Sequence, residues 1–275
     1  MSVADVVARA LAEDLGAGDV TAAAVVAPEA HAVATIEQRA PGVIFGIDAA
    51  RETFEQAGEG ALAFEALAQE GGWRDGGDVA RIEGPAGPIL AGERVALNFL
   101  GRLSGIATLT ARYVQAVEGT GARILDTRKT TPGLRTLEKA AVVAGGGVSH
   151  RAGLHDAILV KENHAALAGG VGEAARRAVQ GRGSAAFVEV EVETLDELGE
   201  VLDAGVDRIL LDNMAPAQLR EAVERAEGRA ELEASGGITL DNVREVAETG
   251  VEFISVGALT HSAPALDLSL LLAPR

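Results

Sequence analysis

The chain has 275 residues, of which 48% are hydrophobic, and a formal net charge of -17 at pH 7. This length is enough for one large α/β domain, or for a barrel with a small companion domain. The acidic balance argues against nonspecific nucleic-acid binding, the lack of a long apolar run argues against a membrane span, and the absence of cysteine excludes disulfides and thiolate metal sites.

The N-terminal third is predicted to form a small α+β domain. Residues 1–19 are acidic where a secretory signal would be basic and then apolar, which predicts a cytoplasmic protein. Residues 31–46 alternate like a strand, residues 51–57 have a helical pattern, and residues 70–90 look like turn-rich short strands.

A long amphipathic helix is predicted over residues 92–119. Its apolar stripe follows helical spacing at positions 95, 99, 103, 106, 110, 113 and 117. The face beside this stripe combines cations with glycines, at Arg94, Asn98, Gly101, Arg102 and Gly105. Two interpretations are equally supported: a groove for close packing with solvated arginines, or a functional face.

From about residue 120 onward, short apolar runs alternate with helical patterns. The runs are ARILDT (122–127), AILV (157–160), AFVEVEV (186–192), DRILLD (207–212), AELEAS (230–235) and FISVG (253–257). This βα repeat predicts a parallel sheet, and we favour an incomplete α/β barrel over a doubly wound open sheet. The predicted boundaries are 1–108 for the N-terminal α+β sandwich with its connecting helix, 109–263 for the barrel, and 264–275 for a tail that returns to the N-terminal domain.

Cations concentrate between residues 128 and 161, which hold all three lysines of the chain. Arg128 and Lys129 follow the first predicted barrel strand, and Lys161 follows the second. The carboxyl ends of barrel strands meet at one face, so these side chains predict an anion site there. Structural ion pairs are the alternative interpretation.

Acidic side chains accompany the later strands of the repeat. Alternation along residues 186–193 places Glu189, Glu191 and Glu193 on one face. Residues 230–235 repeat the pattern with Glu231, Glu233 and Ser235, and Asp212 ends the strand between them. Because parallel strands are covered on both faces, we expect these carboxylates to point inward and to require cations or a metal. The alternative is a strand with one solvated face.

Glycines follow the last two predicted strands. Ser235, Gly236 and Gly237 precede a helix predicted to begin near Thr239, and Gly257 follows FISV. Backbone N–H groups in the last two βα loops of a barrel commonly bind phosphate, whereas a single glycine is more often an ordinary turn residue. The pair of loops predicts a phosphate site.

Several motifs together resemble the quinolinate phosphoribosyltransferase family, from about residue 92 to residue 269. They are LNFLGRLSGIAT, the DTRKTTPG to KENH stretch over residues 126–164, EVEVETLDE, LLDNM, ASGGITLDNV and SVGALTHS. The resemblance implies transfer of a phosphoribosyl group from PRPP to quinolinate, with release of pyrophosphate and carbon dioxide. It also implies a homodimer, or a higher oligomer built from it, in which the N-terminal domain of one subunit covers the barrel of the other.

The resemblance also implies roles for individual residues. The quinolinate carboxylates would be bound by Thr127, Arg128, Lys129, His150, Arg151 and Lys161, with Arg94 from the neighbouring subunit. Catalysis would depend on Lys129, Lys161, Glu191 and Asp212. Magnesium carried by PRPP would lie near Glu191 and Asp212, without an organic cofactor. The 5-phosphate would be bound by Ser235, Gly236, Gly237, Val256, Gly257 and Ala258. Two alternatives remain open: a phosphoribosyltransferase for another carboxylate, and a noncatalytic anion-binding relative.

Overall fold

The computed structural model describes residues 2–275, which form two compact units. The first unit contains the chain up to Ala111, together with Thr130–Gly146 and Thr260–Arg275. The second unit contains Arg112–Lys129 and Gly147–Leu259. The domain boundaries predicted from the sequence stay a prediction.

The first unit is built on a four-stranded antiparallel sheet with the order β12-β1-β5-β3. Its strands are β1 (His31–Gln38), β3 (Ala63–Ala66), β5 (Gly77–Pro85) and β12 (Leu268–Pro274), and a separate two-stranded sheet joins β2 (Gly42–Val43) to β4 (Trp73–Arg74). Its helices are α1 (Val3–Leu15), α2 (Val20–Val25), α3 (Ile47–Ala57), α5 (Arg135–Ala144) and most of α4 (Ala86–Ala116).

The core of this unit follows from the alternation in β1. Ala34 and Ile36 point toward the helices and are fully buried, together with Phe54 of α3 and Leu100 of α4. Such one-sided burial is typical of an antiparallel sheet that packs on helices with one face only.

Helix α4 begins at Ala86, so the prediction of strand-like structure through residue 90 is wrong over its last residues. Pro88 falls in the first turn, where backbone N–H groups have no intrahelical partner, and proline is therefore tolerated there. The predicted apolar stripe is confirmed, because all seven of its positions are buried.

The glycines on the neighbouring face of α4 serve packing. A Cβ atom added at Gly105 would lie only 2.0 Å from the carbonyl oxygen of Pro264, and the Leu266 amide donates to the Gly101 carbonyl at 2.9 Å. The Arg102 side chain donates to the fully buried carboxylate of Glu138 at 2.9 Å. The packing interpretation is therefore confirmed for Gly101 and Gly105, whereas Arg102 is paired with a buried carboxylate and is not a solvated arginine.

The second unit contains a six-stranded parallel sheet with the order β6-β11-β10-β9-β8-β7. The strands are β6 (Arg123–Leu125), β7 (Ile158–Val160), β8 (Val188–Val192), β9 (Arg208–Asp212), β10 (Glu231–Ser235) and β11 (Phe253–Ser255). The helices are α6 (Glu162–Ala168), α7 (Val171–Gln180), α8 (Leu195–Ala204), α9 (Pro216–Ala226), α10 (Val243–Ala247) and α11 (Ala258–His261), which runs on into the first unit. Each of the six predicted strands is present.

The strand order is that of an incomplete barrel. Neighbours in the sheet follow the chain order from β7 to β11, and the first strand, β6, lies beside the last. A single parallel bridge between Leu125 and Val148 extends the other edge of β6. A doubly wound sheet would instead reverse its order at a switch point, so the predicted fold class is confirmed.

Candidate functional site

A cavity of about 580 Å³ opens at the carboxyl end of β7. Its cationic lining residues are Arg128, Arg151, Lys161 and Arg177, and Leu159 and Val160 contribute apolar walls. No lining residue among those described carries a carboxylate. The cavity therefore suits an anionic, partly apolar ligand.

The guanidinium group of Arg151 is held firmly in this cavity. The residue is only 8% exposed, and Nη1 donates to the carbonyl oxygen of Ala157 at 3.3 Å. Burial lowers the pKa of Arg151, and the nearby charge of Arg128 lowers it further. Two cations that repel one another favour the binding of an anion between them.

The structure brings Lys161 and Glu191 into contact. Lys161 follows β7, Glu191 lies on the neighbouring strand β8, and the Lys161 ammonium donates to the Glu191 carboxylate. Burial raises the pKa of Glu191 and the charge of Asp212 adds to this effect, while Lys161 opposes it. The acid and the base expected to meet at one end of the barrel are thus neighbours.

Asp212 ends β9, the strand beside β8, so the two carboxylates share the carboxyl edge of the sheet. The Asn213 side-chain amide donates to Asp212 at 2.6 Å, and Asn213 itself has a left-handed backbone with φ of 54°. Carboxylate oxygens are the hard donors that magnesium prefers. The oxygen atoms of Glu191 and Asp212 are therefore of the chemical type that magnesium prefers, while the Glu191 carboxylate also pairs with Lys161.

The loop after β6 carries Thr127, Arg128 and Lys129. Thr127 Oγ1 accepts from the Lys129 amide at 3.1 Å. The preceding residue, Asp126, is fully buried and accepts from the His150 amide at 2.8 Å. The first bond stabilises the loop itself, and the second fixes it to the segment that carries His150.

Below the cavity, His150 meets two buried glutamates. Its Nε2 lies 2.8 Å from Glu189 and 3.4 Å from Glu233, while Nδ1 accepts from the Arg151 amide at 2.6 Å. Burial lowers the pKa of His150, but hydrogen bonds and charges of the two glutamates outweigh it and raise the pKa to about 9. With a pKa of about 9, both ring nitrogens would carry a proton at neutral pH. Nδ1 accepts from the Arg151 amide, however, and cannot carry a proton while it does so. The geometry therefore favours the neutral ring with its single proton on Nε2.

This cluster can be tested as a metal site. His150, Glu189 and Glu233 each offer one ligand atom within 4.8 Å of the others. However, a histidine ligates a metal through an unprotonated nitrogen, and the Arg151 amide already occupies the Nδ1 lone pair. Arg208 Nη1 also lies 3.7 Å from Glu233 and supplies positive charge. The cluster therefore fits a structural network better than a metal centre.

The two predicted glycine loops lie at the carboxyl ends of the neighbouring strands β10 and β11. Gly236 and Gly237 have left-handed φ values of 95° and 61°, and a Cβ atom on Gly236 would lie 2.2 Å from Asn213 Oδ1. The next helix begins at Val243, later than predicted, because the Asn242 side chain closes a turn by accepting from the Thr239 amide.

Some of the cations considered in the sequence belong to the first unit. Arg94 is exposed on the part of α4 that belongs to the first unit. Arg135 and Lys139, which belong to the basic stretch of the sequence, also lie in the first unit.

Sequence reasoning assigned no role to Arg177 and His164, which also line the cavity. His164 could have been predicted, because it belongs to the KENH motif that also contains Lys161. In the structure its Nδ1 atom accepts from the Lys161 amide at 2.9 Å. Arg177 lies on α7, and its approach depends on helix packing that no local pattern reveals.

Within residues 2–275, none of the helices combines the length and the hydrophobicity needed to cross a lipid bilayer.

Comparison with known proteins places the site in a family. Residues 106–271 match the family described as quinolinate phosphoribosyl transferase, C-terminal domain, and residues 19–104 match the corresponding N-terminal domain. The chain is 42% identical to a probable nicotinate-nucleotide pyrophosphorylase (carboxylating) of Bacillus subtilis, over 94% of this chain and 89% of that protein. It is 43% identical to the nicotinate-nucleotide pyrophosphorylase (carboxylating) of Mycobacterium leprae, over 97% of this chain and 95% of that protein.

The fold agrees with a solved structure. The nicotinate-nucleotide pyrophosphorylase from Francisella tularensis superposes with a TM-score of 0.94 at 38% identity, over 98% of this chain and 96% of that one. The family matches cover residues 19–104 and 106–271, and the identities of 38–43% are high enough to indicate membership of the family and more than a shared fold. The chain belongs to the quinolinate phosphoribosyltransferase family.

Proposed function

We propose that this protein transfers the phosphoribosyl group of PRPP to quinolinate and releases pyrophosphate and carbon dioxide, which yields nicotinate mononucleotide for NAD biosynthesis. The observation that carries the proposal is the cationic cavity of a quinolinate phosphoribosyltransferase fold, lined by Arg128, Arg151 and Lys161. Quinolinate carries two carboxylates on an aromatic ring, and the cavity offers several cations beside apolar walls. A ligand with one carboxylate would leave more of this positive charge unmatched.

Binding would be dominated by local charge. The protein has a net charge of -17, so both anionic substrates are repelled at long range. Short-range contacts with Arg151 and Lys161 overcome this repulsion, because salt screens distant charges much more than partly buried ones. Most of the catalytic effect would come from holding the two substrates in line.

In the first chemical step, the pyridine nitrogen attacks the anomeric carbon. A nitrogen–carbon bond forms while the bond from that carbon to the pyrophosphate oxygen breaks. Positive charge develops on the ribose, and we propose that the carboxylates of Glu191 and Asp212, which lie on the neighbouring strands β8 and β9, stabilise it. Magnesium carried by PRPP, held by the same two carboxylates, would neutralise the departing pyrophosphate.

In the second step, the bond from the ring to the carboxylate beside the nitrogen breaks. The electron pair of that bond stays on the ring carbon, where the adjacent cationic nitrogen stabilises it, carbon dioxide leaves, and the carbon then takes a proton from water. Lys129 is proposed to stabilise the charge that develops here. The 5-phosphate would meanwhile be held by Ser235–Gly237 and by Val256–Ala258, whose backbones follow neighbouring strands.

The proposed substrate can be tested directly. The purified protein is incubated with PRPP, Mg²⁺ and quinolinate labelled with carbon-13 in the carboxylate next to the nitrogen. We expect labelled carbon dioxide and nicotinate mononucleotide in equal amounts. Nicotinate used more efficiently than quinolinate would indicate the alternative phosphoribosyltransferase, and no turnover of either acid would indicate a noncatalytic anion-binding relative.

We also propose a homodimer with shared sites, in which Arg94 of one subunit reaches the cavity of the other. The exposure of Arg94 on α4 supports this role. Mixing two inactive variants, Arg94→Met and Lys161→Met, should then restore part of the activity, because a hybrid dimer contains one intact site. A mixture that stays inactive after subunit exchange would contradict shared sites. A cytoplasmic location stays a prediction.

A further inference from the structure

We propose that Glu189 is a positioning residue for quinolinate binding: through His150 it fixes the backbone that presents Arg151 to the cationic cavity. This inference rests on the proposed function, since it concerns the same cavity. Glu189 itself lies below the cavity and is not among its lining residues.

The first link joins Glu189 to the ring of His150. Glu189 is 0% exposed and lies on β8, with its Oε2 atom 2.8 Å from His150 Nε2. The His150 ring also stands edge-on to Phe187, with 5.6 Å between the ring centroids. The carboxylate and the aromatic ring leave the imidazole little freedom to rotate.

The second link joins the ring to the main chain. His150 Nδ1 accepts the Arg151 amide at 2.6 Å, and the His150 amide donates to the buried Asp126 at 2.8 Å. The backbone amides of His150 and Arg151, on either side of the His150 Cα atom, are therefore both hydrogen-bonded. Arg151 follows immediately, so the direction of its guanidinium depends on this anchored backbone.

The two links have one consequence for His150. Nε2 is used by Glu189 and Nδ1 is used by the Arg151 amide, so both ring nitrogens are engaged inside the protein. Direct binding of a substrate carboxylate by this ring would require one of these bonds to break. The geometry therefore favours an indirect role for His150, in which it transmits the position of Glu189 to Arg151.

The pairing with His150 also explains how the barrel interior accommodates the Glu189 carboxylate. Burying an acid is costly unless it is paired, and Glu189 pairs with a ring that is needed for the cavity. Its neighbour Glu233, 1% exposed on β10, lies 3.4 Å from the same nitrogen and 3.7 Å from Arg208. The network thus spans three neighbouring strands of the barrel, β8, β9 and β10.

The test compares Glu189→Met with Glu189→Gln in the full-length protein. Methionine keeps the length of the side chain but cannot accept a hydrogen bond, whereas glutamine retains the acceptor. At pH 7.5 we expect Glu189→Met to raise the KM for quinolinate at least tenfold, with a change of less than threefold in the KM for PRPP. Glu189→Gln should stay within threefold of wild type for both substrates.

A double variant tests whether Glu189 acts through the histidine. Once His150→Phe has removed the ring nitrogens, adding Glu189→Met should raise the KM for quinolinate no further. The double variant also replaces both partners with apolar groups, which protects the fold if Glu189→Met alone is unstable. Glu221→Met serves as the matched control, because Glu221 pairs with Arg225 on the surface of α9.

The outcomes separate this inference from the proposed function. Wild-type protein that does not convert quinolinate would overturn the proposed function itself. Active wild type together with an unchanged quinolinate KM in folded Glu189→Met would overturn only the positioning role. Additive effects of His150→Phe and Glu189→Met would also overturn it, because they would mean that the two residues act separately.

Discussion

Three glutamates of strand β8 and its extension, at positions 189, 191 and 193, alternate along the sequence but lie in different environments. Glu189 is fully buried against His150, Glu191 is partly buried and pairs with Lys161, and Glu193 is exposed. One alternating pattern thus produces an interior network, a site residue and a solvated side chain. Depth along the strand, which alternation does not specify, decides which chemistry each carboxylate can perform.

The largest effect is expected at the interior end. Arg208→Met would remove the cation 3.7 Å from the buried Glu233 and its stacking on Phe253, whose ring centroid lies 3.8 Å away. Removing one partner of a buried ion pair typically destabilises a protein by about 3–5 kcal/mol. Urea unfolding should show this loss, whereas Arg225→Met, on the surface of α9, should change stability by less than about 0.5 kcal/mol. An equal decrease in the free energy of unfolding in both variants would mean that the buried Arg208–Glu233 pair stabilises the protein no more than a surface pair.

The next effect separates activity from stability. Lys161→Met should lower kcat/KM for quinolinate at least about a hundredfold, which corresponds to about 2.7 kcal/mol in the barrier. The reason is that Lys161 both lines the cavity and neutralises Glu191. Because its side chain is 44% exposed, the melting temperature should fall only slightly. If calorimetry showed a near-normal affinity of Lys161→Met for quinolinate, Lys161 would not be a quinolinate-binding residue of the cationic cavity.

A smaller effect concerns the pH dependence of stability. Burial, together with the charge of Glu233, raises the pKa of Glu189 from 4.5 to about 7. The folded state therefore binds more protons than the unfolded state between these values, so this group's contribution to stability is lost as the pH rises from about 4.5 through 7.

Glu189→Gln should remove that slope, because glutamine does not ionise in this range. Relative to wild type, the variant should become more stable at pH 8 than at pH 5 by about 1 kcal/mol or more, since one pKa unit corresponds to about 1.4 kcal/mol. Urea unfolding at the two pH values measures the difference. Parallel stability curves for the two proteins would show that Glu189 is ionised throughout.

Periodicity in the sequence was sufficient for the fold and for much of the site. The six barrel strands, the buried stripe of α4 and the meeting of Lys161 with Glu191 all follow from local patterns combined with the rule that parallel strand ends share one face. The start of α4 at Ala86 did not follow, because a proline in a first helical turn looks the same as a proline in a loop.

Partners across the sheet were harder to predict. Alternation showed that Glu189 points inward, but the pairing with His150 depends on how far the loop after Val148 reaches into the barrel. The approach of Arg177 to the cavity has the same origin, since it is set by the packing of α7. Such distances come from tertiary structure and leave no periodic trace in the sequence.

The smallest effect is expected at the exposed end of the same strand face. Glu193→Gln changes a carboxylate that lies beyond the last residue of β8 and is exposed to solvent. A surface substitution of this kind should alter stability by less than about 0.5 kcal/mol and leave kcat/KM for quinolinate within twofold. It is measured beside Glu189→Gln and beside Lys161→Met, which removes the partner of Glu191, and so tests whether depth along the strand separates the three positions. A tenfold loss of activity in Glu193→Gln would extend the site outward along the strand face and would mean that exposure is a poor guide to function at this end of the barrel.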